Sequence, residues 1–87
     1  MPTAEDFRLA LSKALEEASR SGADHLEITA GELHRRIGGY PGPGHRIPNC
    51  CQVMKAAVVE AWGDRILYKP PSGMGANLKV WYRIPRG

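Results

Sequence analysis

The sequence predicts a small α+β domain in which three helices are followed by a β hairpin joined by a short third strand. Three observations carry this expectation. An apolar stripe of helical period runs from Phe7 to Ala18. Two further helix starts are marked by Thr29 and Asn49, with Glu32 and Gln52 three residues on. Strict alternation between Leu78 and Ile84 then marks a strand. At 87 residues the chain has room for one modest core, so residues 1–87 read as a single domain. An apolar content of 43% supports a folded interior despite ten glycines and seven prolines.

The first helix is expected over about Ala4 to Ser21. Thr3 serves as its N-cap, and Glu5 and Asp6 meet the positive end of the helix dipole. Phe7, Leu11, Ala14, Leu15 and Ala18 make the buried stripe, and Gly22 stops the helix. Leu26-Glu27-Ile28 alternates but is too short to stand alone, so it is assigned as the strand added to a sheet made elsewhere. Thr29 and Glu32 form a capping box for a brief helix to Ile37, with Leu33 and Ile37 facing in and Gly38-Gly39 ending it.

Residues 40–48 alternate proline and glycine with no regular period, which makes a shaped turn. The third helix is expected from Asn49 to Ala61, with Cys50, Val53, Met54, Ala57 and Ala61 inward. Cys51, Gln52, Lys55 and Val59 then lie nearer its other face. Trp62, at the end of this helix, is expected in the core. In the hairpin, Leu78, Val80, Tyr82 and Ile84 oppose Lys79, Trp81 and Arg83. In its first strand, Ile66 and Tyr68 oppose Arg65, Leu67 and Lys69. Residues 70–77 join the strands as a glycine-rich loop expected to project, and Trp81 is expected to lie over Leu67.

This order of elements resembles the winged helix-turn-helix superfamily over essentially the whole chain, although the turn before the third helix is longer than usual. The run Tyr40 to Cys51 is also similar to small winged-helix proteins associated with restriction-type nucleases. The resemblance implies that the third helix enters the DNA major groove and that the hairpin loop, the wing, follows the backbone.

Charge points the same way. Residues 1–32 hold seven acids and three bases, whereas residues 33–87 hold nine bases and only Glu60 and Asp64 as acids. A polyanion, double-stranded DNA, is therefore the expected partner. Gln52 and Lys55 suit base edges, and Asn49 suits a phosphate at the helix start. Arg35, Arg36, His45 and Arg46 flank the turn and suit backbone contacts. Lys69 and Lys79 bracket the wing, and Arg65 and Arg83 lie along the hairpin. Tyr40 and Trp81 offer rings for base stacking, which keeps RNA as a further option. The alternative to DNA is a protein-interaction module using the third helix and Trp81, with a nuclease as one partner of that kind.

Other classes find little support. No apolar run reaches the roughly 18 residues of a membrane span, and no signal-like N-terminus is present, so a cytoplasmic protein is expected. The adjacent Cys50 and Cys51 diverge on a helix and lack the spacing of a zinc site. A thiol in a first helical turn near Arg46 invites a lowered pKa and redox chemistry, against the plainer reading of two packing residues. Too few carboxylates accompany the basic region for a nuclease, so no enzyme activity, metal, cofactor or small-molecule substrate is expected.

Overall fold

The computed structural model describes residues 3–38 and 46–85. Along the chain these form α1 (Ala4–Arg20), β1 (His25–Thr29), α2 (Ala30–Ile37), α3 (Ile47–Ala56), a 3-10 turn (Glu60–Trp62), β2 (Arg65–Tyr68) and β3 (Lys79–Arg83). The three strands form one antiparallel sheet in the order β1-β3-β2. The short segment around Leu26 to Ile28 is therefore a strand, paired along the last one. Among the described residues no helix is long and apolar enough to cross a membrane.

Local signals set the first half. Thr3 and Asp6 make a reciprocal capping box on α1, and Thr29 and Glu32 make another on α2. Gly22 takes a left-handed φ of +85° just past α1, a conformation with little steric cost only for glycine. The core gathers Phe7, Leu11 and Ala14 from α1, Leu33 from α2, Cys50 and Met54 from α3, and Val80 and Tyr82 from β3. His34 is also fully buried, its ring edge-on to Phe7 at 5.0 Å. Ile37, expected inward, is exposed. It closes the last turn of α2, beyond the core that Leu33 and His34 reach.

The third helix differs most from expectation. It begins at Ile47, two residues before Asn49, with Arg46 at its cap and Pro48 in its first turn. Proline fits there because first-turn amides have no intrahelical partner to lose. The helix ends at Ala56 rather than Ala61. Two tertiary hydrogen bonds account for that end. The buried Tyr82 hydroxyl donates to the Met54 carbonyl at 2.8 Å, and the Val59 amide donates to Asp64 Oδ2 at 2.9 Å. Asp64 Oδ1 also accepts from the Arg83 amide at 2.8 Å, so one buried carboxylate ties the helix exit to the end of β3. Val59 and Trp62 then fall outside the helix and are half-buried.

Two further corrections concern the hairpin. Ile66 pairs with Val80, but the register then shifts so that Tyr68 pairs with Lys79. This bulge at Leu67 breaks the expected alternation, and all four residues of β2 are exposed. The loop of residues 70–77 does not project. The Ala30 and Gly31 amides, at the start of α2, donate to Leu78 and Ala76 carbonyls at 3.0 and 2.8 Å. First-turn amides of a helix need outside acceptors, and the loop supplies them.

Tyr82→Phe keeps the ring and leaves the buried Met54 carbonyl without that donor. The expected cost is about 1 kcal/mol, a fall of about 4–8 °C in Tm for a domain of this size. Thermal unfolding followed by circular dichroism checks it, and an unchanged Tm would show that the hydroxyl contributes nothing.

Candidate nucleic-acid interface

The exposed flank of α3 is polar and carries no acid. Ile47, Cys50, Cys51, Val53 and Met54 are buried, whereas Asn49, Gln52 and Ala56 are exposed and follow one another at helical spacing. Asn49 lies inside the first turn, near the positive end of the helix, and is not the cap. Lys55 is half-buried at the edge of this flank. The start of the helix is held from behind, because the Arg46 amide donates to His34 Nε2 at 2.9 Å. In that bond Nε2 is the acceptor.

The loop after β2 meets α3 through two lysines. A Cβ on Gly73 would lie 3.4 Å from Lys55 Nζ and 3.8 Å from Lys69 Cε. Gly73 is buried with a φ of +79°, so a side chain there would be strained. Lys55 from the helix and Lys69 from the strand end therefore converge on one stretch of backbone. Beneath them the Cys51 thiol donates to the Gly75 carbonyl at 3.4 Å. This contact explains why Cys51 is buried although its position is off the apolar stripe. Helix α3 packs against α1, α2 and the loop.

Other expected contacts are placed elsewhere. Arg36 is engaged by Glu17 of α1 at 2.6 Å, and its guanidinium lowers the Glu17 pKa. Arg35 is exposed in the last turn of α2. Lys79 and Arg83 point to the sheet face opposite the helices, because they alternate with the buried Val80 and Tyr82. Arg65, paired with Trp81, lies on that same outer face. The expected positions Tyr40 and His45 lie outside the described residues.

Both thiols are packing groups. Cys50 donates to the Ala30 carbonyl at 3.4 Å, and burial, reinforced by Cys51, pushes its pKa up to about 12. Burial also raises the Cys51 pKa. A lowered thiol pKa near Arg46 is thus overturned: removal from water outweighs any attraction by the helix end. The two sulfurs turn to carbonyls of different segments, so they do not share one ligand position.

The outer sheet face holds an arrangement that alternation alone did not reveal. Trp81 is half-buried, with the His25 ring stacked on it at 5.0 Å and 12° and the Arg65 guanidinium 5.1 Å from its centroid. His25 and Arg65 therefore cover its ring. His25 Nδ1 lies 2.7 Å from Asp24 Oδ1, and Nε2 lies 3.5 Å from Glu27 Oε2.

The hydrogen bond to Asp24 raises the His25 pKa above 6.5, and His25 in turn lowers that of Asp24 below 3.8. A raised histidine value means that the stabilisation is complete below the unfolded-state pKa and disappears as pH rises through the folded one. The Asp24 contribution is lost at the acid end, as pH falls through its depressed value. Relative to His25→Ala, the native chain should lose Tm as pH rises above about 6.5 and through the raised folded-state value, and parallel melts from acid to alkaline pH check it. Equal pH dependence in both chains would exclude the pair as the cause. No family model, curated protein or solved structure matches the chain.

Proposed function

We propose that this chain is a winged-helix protein that binds double-stranded DNA, with α3 in the major groove and the loop of residues 70–77 against the backbone. The observation that carries the reading is the convergence of Lys55 and Lys69 on Gly73, beside an α3 flank with no acid. Two lysine side chains from different elements, approaching one small residue, suit a phosphate, which needs close approach and positive charge. Asn49 and Gln52, exposed on the same helix, supply amides for a second phosphate and for an adenine edge. Arg46, exposed at the head of the helix, extends the basic track. The element order and the β1-β3-β2 sheet support the fold assignment. The role is regulatory or accessory, in the cytoplasm, and includes delivering a partner such as a nuclease to DNA.

A protein-interaction role is the second reading. One observation favours it: Ile66, Leu67, Tyr68 and Met74 are exposed large apolar residues in β2 and the following loop.

Fluorescence anisotropy with a random duplex of about 20 base pairs, titrated at several salt concentrations, separates the two. The DNA reading expects micromolar binding with a log–log salt slope of about −3 or steeper. Gln52→Ala with Lys55→Ala should weaken binding about tenfold or more and make the slope shallower by about 1. Unchanged affinity in that variant excludes the major-groove assignment, and absence of binding at low salt favours the protein partner.

A further inference from the structure

We propose that the outer face of the sheet is a separate binding surface, for single-stranded DNA. The strand register arranges this face in rows. Glu27, Trp81 and Arg65 lie side by side in one row, and Thr29, Lys79 and Tyr68 in the next. Tyr68 belongs to it only because of the bulge at Leu67. Continued alternation from Ile66, which opposes the buried Val80, would have turned Tyr68 toward the core side. Instead Tyr68 is 47% exposed and sits opposite Lys79 in the ladder.

A groove of about 530 Å³ opens here, with Glu27 and Thr29 on one side, Leu67 and Tyr68 on the other, and Lys79 between them. Asn77 also lines it. The groove therefore offers an aromatic ring, an amide, a hydroxyl, a carboxylate and a cation. These are the groups that hold an unstacked base: a ring to stack on, donors and acceptors for its edge, and positive charge for its phosphate. A base inside a duplex is stacked already and cannot use such a ring.

Charge selects a polyanion as the occupant. Arg65, Lys79 and Arg83 stand on this face against one strand carboxylate, Glu27, which His25 approaches to 3.5 Å. The second acid at the border, Asp24, is held by His25. Trp81, one row from Tyr68, is covered by His25 and Arg65, so Tyr68 is the open stacking ring and Trp81 a reporter beside it. This surface lies across the sheet from the helices, so it does not depend on the duplex reading for α3.

The test uses labelled oligo(dT) of about 12 nucleotides, within the length one small domain covers. Anisotropy is read alongside tryptophan emission in a Trp62→Phe background, where Trp81 is the one tryptophan remaining. Binding that quenches Trp81 is expected. Tyr68→Ala should weaken it by about 5- to 150-fold, the loss expected for one stacked base, while Tyr68→Phe retains it and duplex affinity in Tyr68→Ala stays unchanged. Lys79→Glu should also weaken it. Saturable binding without Trp81 quenching, or full affinity in Tyr68→Ala, overturns the proposal, as does no binding at low salt. Tighter binding of the matching RNA overturns the DNA assignment. Concentration-dependent dimerisation abolished by Tyr68→Ala would assign the face to a second copy instead.

Discussion

The hydrogen bond from Tyr82 to the Met54 carbonyl is the constraint on which the rest of the arrangement depends. Tyr82 is fully buried on β3, the central strand, and Met54 lies near the end of α3. A carbonyl in the last turn of a helix needs a donor from outside, and a buried hydroxyl needs an acceptor. Each meets the requirement of the other, so the sheet and α3 are fixed at one relative height. That in turn sets which residues of α3 reach water.

The same logic of matching orphaned groups closes the domain at its other joints. The first amides of α2 find carbonyls in the loop before β3. The carboxylate of Asp64 collects two amides from segments far apart in sequence. The imidazole of His34 accepts the amide at the head of α3. In each case a polar group withdrawn from water is satisfied by an element that the hydrophobic core has brought near. The loop of residues 70–77 is held down by such bonds, which is how Lys69 comes to face Lys55 across Gly73.

Among the described residues the charge partition of the chain resolves into two basic surfaces and not one. Some bases are neutralised locally, as when Glu17 of the acidic first helix engages Arg36. Lys55 and Lys69 gather beside the polar flank of α3. Arg65, Lys79 and Arg83 gather across the sheet, around Trp81 and its His25 lid. A β sheet separates the two groups because alternation sends neighbouring side chains to opposite faces. Sequence proximity within the hairpin therefore gave no guide to which bases act together.

By itself the sequence determined the elements that rest on short-range rules. The Thr3 and Thr29 capping boxes, the Phe7 stripe, Gly22 and the alternation of Leu78 to Ile84 all depend on residues within a turn or two of one another. The exposed Gln52 of the third helix was legible for the same reason. Tertiary structure alone decided where α3 begins and ends, because its cap is Arg46 held by His34 and its exit is fixed by Tyr82 and Asp64. It also decided that Cys51 is buried, that the loop folds back and that Tyr68 faces outward through a bulge. These outcomes follow from hydrogen bonds and packing between residues from 5 to 28 apart in the chain, which neither periodicity nor composition encodes.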